Sequence, residues 1–213
     1  MNMNNIEYLP LFPHLVTRTD TNPEFLEFRD KFIDYAYNLR TNCSGITRSN
    51  KNGWHSDVKI KNDDDFQDCM GFLKKYIGKT VATIFKSGTK VTVDSCWLNI
   101  NGQNSMNLSH THPGCNLSGC LWIKRTRKSG HLKAHNPNEF NHYTLFQAYS
   151  EEIKNQFNCD FSFLFKPIEG HMVIFPSDLR HSVLENNDPY DRVSLAFNLD
   201  VRPPPYNDKN SDQ

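Results

Sequence analysis

The run Val91-Thr92-Val93-Asp94-Ser95-Cys96-Trp97-Leu98-Asn99-Ile100 marks where this chain turns from helical to extended character. It is rich in apolar and β-branched residues, and Ser87-Gly88 just ahead of it closes a helical pattern. Four later runs share its character: Ser118 to Lys124, Phe161 to Lys166, His171 to Phe175 and Arg192 to Asn198, with Gly, Pro and Asn between them. Several short strands following two helices predict a mainly β chain, an antiparallel barrel or double-sheet jelly roll with helices packed outside it.

Upstream, Leu11-Phe12-Pro13 reads as a short edge strand after a polar start. Asn22 is placed to cap a helix with Pro23 at its first position, and Phe25, Phe28, Phe32, Ile33, Ala36 and Leu39 recur on one face of it. Residues 41–62 are polar and turn-rich, with one short strand expected at Asp57 to Ile60. A second helix is expected from Asp65 to Phe85 through Phe66, Met70, Leu73, Ile77, Val81 and Ile84, with Gly71 and Gly78 as weak points. After Pro203 three prolines and polar residues predict a loose tail.

The chain has 213 residues, enough for one domain with an enclosed site. Lysine plus arginine number 24 and aspartate plus glutamate number 24, so no field of one sign draws in nucleic acid or an anionic membrane. The local basic patch Lys124, Arg125, Arg127 and Lys128 reads as a solvated loop. The N-terminus lacks a basic flank followed by an apolar run, and no stretch reaches the ~18 apolar residues of a membrane span. A soluble, cytoplasmic protein is expected. Cys43, Cys69, Cys96, Cys115, Cys120 and Cys159 form no paired framework and read as reduced thiols.

Three groups of residues carry chemistry. His110-Thr111-His112 places two imidazoles two apart, which on a strand puts both on one side and allows them to share an ion. His181 follows the strand-like Gly170 to Ser177 and can swing onto the same ion. Arg192 and Ser194, eleven and thirteen positions beyond His181, share a strand face and can together grip a carboxylate. If Val193, Leu195 and Phe197 face the core instead, Arg192 is left to solvent or to Asp191 or Asp188. Asn99 can bond a small molecule or a backbone group. Trp97 and Trp122 read as barrel filling, His131, His135 and His142 as part of a polar lid segment, and His55 stays ambiguous.

With those residues in view the chain resembles the 2-oxoglutarate and iron(II)-dependent oxygenase superfamily, closest to a bacterial and phage group of 2OG-Fe(II) oxygenases. The resemblance is carried by Leu11-Phe12-Pro13, Ser49-Asn50, Gly53-Trp54, Ser56, Trp97-Leu98-Asn99, His110-Thr111-His112-Pro113 and Leu117-Ser118-Gly119. It continues through Gly170 to Ser177, Leu179, His181-Ser182-Val183 and Arg192-Val193-Ser194 into Phe197-Asn198. It implies one oxygenase domain over 1–213, with a strand and two supporting helices in 1–90 and a cupin-like double-stranded β-helix in 91–202. His110, His112 and His181 fall at the catalytic iron(II) positions, Arg192 at the distal carboxylate of 2-oxoglutarate and Ser194 beside it; Asn99 stays a candidate for bonding co-substrate, substrate or a backbone group. The implied reaction is hydroxylation of a small molecule or peptide side chain, with release of succinate and CO2.

One position departs from the superfamily pattern: His112 stands where an Asp or Glu is usual, leaving the site one charge more positive. That departure keeps a three-histidine cupin dioxygenase working without 2-oxoglutarate in play. A non-catalytic protein with a structural zinc held by His110, His112, Cys115 and Cys120 is the other alternative. Substrate identity is not encoded in any of these motifs, and a homodimer is compatible with the chain.

Overall fold

The computed structural model describes residues 8–205. Strand β1 (Thr17–Asp20) leads into helix α1 (Glu24–Asn42), then come the two-residue strands β2 (Asn50–Lys51) and β3 (Trp54–His55). Two short 3-10 turns precede helix α2 (Gln67–Val81). Strands β4 (Lys90–Asn101), β5 (Met106–His110), β6 (Leu117–Lys124) and β7 (Leu132–His135) follow, then helices α3 (Tyr143–Ala148) and α4 (Glu151–Phe157). The chain ends in β8 (Ser162–Phe165), β9 (His171–Pro176), β10 (His181–Val183) and β11 (Arg192–Arg202).

The strands form two antiparallel sheets. The larger runs β1-β9-β6-β11-β4-β3 and the smaller β2-β5-β10-β7-β8. Helices α1 and α2, with Phe66 of the 3-10 turn before α2, cover one face of the larger sheet through Phe25, Phe32, Phe72 and Leu73, which cluster with Leu98, Ile100, Leu121, Val193, Leu195 and Phe197. A second cluster of Trp122, Val173 and Phe175 with Leu132, Ala134 and Leu179 joins the other face to the smaller sheet. The larger sheet is therefore buried on both sides. Alternation along β11 divides the two environments, with Val193, Leu195, Phe197 and Leu199 toward the helices and Arg192, Ser194, Ala196 and Asn198 toward a cavity.

This architecture corrects the expected barrel, jelly roll and cupin-like double-stranded β-helix. The molecule is a mixed α/β fold whose two sheets stay open and share no strand, so neither closes or curls around the other. The smaller sheet explains part of this: its strands are two to five residues long, too short to bend out of one sheet and into the next.

Other expectations shift locally. Leu11-Phe12-Pro13 is irregular, and the terminal strand is β1 instead. Asn22 makes no capping bond; the α1 cap is Pro23, and the amide of Phe25 finds the carbonyl of Thr21. Asp57 to Ile60 is a turn entering a 3-10 segment rather than a strand. Helix α2 is shorter than expected at both ends yet runs unbroken through Gly71 and Gly78. The loose tail predicted after Pro203 lies outside the described residues from position 206 onward.

Candidate metal centre

The three histidines come from two neighbouring strands and a loop. His110 ends β5, His181 begins β10, and the two are register partners across the smaller sheet. His112 lies past the end of β5, held by its amide donating to the carbonyl of Ser177 at 2.9 Å. One nitrogen from each ring falls within 4.8 Å of the others, and Cys115 and Cys120 take no part in the group. The four-ligand His/Cys zinc site weighed from sequence is thus not assembled.

The ring nitrogens facing the group are fixed by bonds on the opposite side. His110 Nδ1 lies 2.6 Å from the carbonyl of Leu108, and His181 Nδ1 lies 2.9 Å from the carbonyl of Leu179. A carbonyl only accepts, so each Nδ1 carries the proton and each Nε2 keeps a lone pair, the form a metal requires. Burial is the main cause holding all three rings neutral: it pushes His112 down to about 3, with nearby imidazoles adding to the effect, and His181 down to about 4, and it lowers His110 as well. The donor set fits a borderline divalent ion such as iron(II), nickel(II) or zinc(II).

A cavity of about 790 Å³ opens around these rings. Across it on the larger sheet stand Asn99, Arg192 and Ser194, so the two sheets contribute opposite walls. Arg192 is only 2 % exposed. It gives one N–H to the carbonyl of Gly130 at 2.9 Å, while its Nε has no partner among the described residues. The carboxylates expected as rivals are engaged elsewhere: Asp191 takes Arg40 at 3.0 Å, and Asp188 accepts from the amides of Lys128 and Tyr190. Burial lowers the Arg192 pKa to about 10, which leaves it cationic at neutral pH. A buried cation with no carboxylate against it is costly unless an anion reaches it.

Trp97 and Trp122 both line this cavity rather than filling a barrel. His135 belongs to β7, and His142 precedes α3, so the segment expected as a lid contains regular structure. His55 is placed at the site more firmly than sequence indicated, with its ring parallel to Trp97 at 5.6 Å. Its signal was the adjacent Trp54, too weak alone. Asn107 and Ala196 also line the cavity and had no sequence signal.

A family model described as "Putative 2OG-Fe(II) oxygenase" matches residues 95–198, the stretch holding all three histidines and Arg192. Over that stretch the chain is similar to the 2OG-Fe(II) oxygenases. No curated relative matches the sequence. Among solved structures, a prolyl hydroxylase from Trichoplax adhaerens, in complex with a hypoxia inducible factor oxygen degradation domain peptide fragment, is similar with a TM-score of 0.58 at 11% identity, over 87% of this chain and 83% of that one. HygX from Streptomyces hygroscopicus, with nickel and 2-oxoglutarate bound, gives 0.56 at 7% identity over 87% and 82%. The chain spans 54% of a Burkholderia pseudomallei oxidoreductase of the 2OG-Fe(II) oxygenase family, over 66% of its own length, at 14% identity and a TM-score of 0.42. No described helix is long and apolar enough to cross a membrane.

Proposed function

We propose that this chain is an iron-dependent oxygenase with an all-histidine centre, acting on a ligand that carries a carboxylate. The observation that carries this reading is the pairing of the His110, His112 and His181 group with a buried, uncompensated Arg192 on the opposite wall of one cavity. Iron(II), when bound, would supply activation of dioxygen for oxidation of the ligand.

The protein's own residues then have separate tasks. His110 and His181 present lone pairs already oriented by their backbone bonds, and His112 adds a third from the loop. Arg192 fixes the carboxylate and so the direction in which the ligand lies. Trp97, Trp122 and Phe175 keep the walls apolar, which limits water around the reacting groups.

With no Asp or Glu in the histidine group, the reading best supported is a three-histidine dioxygenase whose substrate itself carries the carboxylate. A second reading has 2-oxoglutarate as that acid and hydroxylation as the outcome. It is favoured by the Ser194 hydroxyl on the cavity wall two residues from Arg192 and by the superfamily.

Anaerobic, metal-free protein titrated with iron(II) and then 2-oxoglutarate separates the two. The three-histidine reading expects iron binding with no visible charge-transfer band on adding 2-oxoglutarate. A band that weakens in Arg192→Ala would transfer the assignment to the second reading. Failure to bind iron at all would remove both.

A further inference from the structure

His55 is a buried group on the cavity wall that the reading above leaves without a task. It sits on β3 opposite Asn99 of β4, is 4% exposed, and lies parallel to Trp97 with 6° between the ring planes. Its Nδ1 is 2.5 Å from the carbonyl of Ser56. That carbonyl can only accept, so the proton is on Nδ1 and the Nε2 lone pair is left free. Burial favours the neutral ring. Among the described residues Nε2 has no hydrogen-bond partner.

The neighbours of His55 continue the pattern. Asn99 is also buried and lines the cavity, and its Oδ1 has no partner among the described residues. Ser194 of β11 is the register partner of Asn99 on the far side, with Arg192 two residues along. His55, Asn99 and Ser194 thus form one row across three strands, about 10 Å from end to end at the usual strand spacing. One end of the row offers a cation, and the other offers two unfilled acceptors.

We infer that His55 and Asn99 receive a hydrogen-bond donor, an ammonium or a hydroxyl, carried by the same acid whose carboxylate Arg192 holds. The inference rests on the proposed role of Arg192 and narrows the substrate class to amino or hydroxy acids. At neutral pH 2-oxoglutarate offers only acceptors, so it leaves both atoms unfilled. The pair is therefore a feature for the molecule being oxidised. Asn99 Oδ1 is already buried, and a ligand filling the cavity without a donor would strand it and cover His55 Nε2, so such acceptors discriminate strongly.

The test is calorimetric binding of three five-carbon diacids to metal-free protein: glutarate, 2-hydroxyglutarate and glutamate. The expected result is about tenfold tighter binding of a donor-bearing acid than of glutarate. Preference for glutamate identifies an ammonium, and preference for 2-hydroxyglutarate a hydroxyl. His55→Phe, which keeps the stacked ring, should abolish the preference without weakening glutarate binding, while His55→Gln should retain part of the preference. Asn99→Leu should also reduce the preference, from a different strand, so misfolding of one variant leaves the other to decide. Equal binding of all three acids to the wild type, or a preference that survives both His55→Phe and Asn99→Leu, overturns the inference. The Arg192 reading is judged by glutarate alone: if Arg192→Ala binds it as tightly as the wild type, that reading falls and takes this one with it.

Discussion

At Gly130 an added Cβ would run into the carbonyl of Leu184, and the carbonyl of Gly130 is the one that receives Arg192. Gly130→Ala should therefore cost about 3 kcal/mol in urea denaturation and weaken binding of carboxylic acids, because it displaces the anchor of the guanidinium. The histidines give a second expectation at this scale. Their folded-state pKa values lie below the unfolded value of about 6.5, so above that pH both states are neutral and nothing is lost. As pH falls, the unfolded chain takes up protons that the folded one refuses, and stability declines until the folded rings protonate, near 4 for His181 and 3 for His112. Metal-free protein should thus lose stability steadily from about pH 6.5 downward, and replacing His112 with Gln should flatten that decline. An unchanged slope would mean the ring is not buried neutral.

Helix α2 shows how local sequence and tertiary packing divide the work. Phe72, Leu73, Tyr76 and Ile77 are buried against the sheet, while Gly71 and Gly78 face outward, where an added Cβ meets nothing within 4 Å. Burial of the other face thus outweighs the glycines, and the helix is continuous. Gly71→Ala and Gly78→Ala should each raise stability by about 0.5–1 kcal/mol, read from the urea midpoint. The strands divide along similar lines. The β4, β6, β8, β9 and β11 runs were legible because apolar and β-branched residues cluster in them. β5 was not, since Met106-Asn107-Leu108-Ser109-His110 has no β-branched residue and only its pairing to β10 and β2 makes it a strand. For the same reason His110 and His112 are not two positions of one strand: the second is carried by the loop, and their shared direction comes from the tie to Ser177.

The whole molecule resolves an ambiguity that β11 leaves open in sequence. Its apolar residues facing a core and its arginine facing a cavity looked like competing choices, and both hold because the larger sheet is covered by helices on one side and by the smaller sheet on the other. A one-dimensional pattern records alternation but not what lies on each face, so the candidate residues were legible and the sandwich around them was not. Sheet closure was misjudged for a related reason: strand count and turn residues are the same whether two sheets join or remain open. What survives at this scale is a cavity with a three-imidazole group on one wall and a buried cation on the other. Its most direct test is anaerobic calorimetric titration of iron(II) into metal-free protein and into the His110→Ala, His112→Ala and His181→Ala variants. One ion per wild-type chain is expected, with an affinity about tenfold to a hundredfold weaker in every variant. Undiminished binding in His112→Ala, or no stoichiometric binding in the wild type, would contradict that expectation.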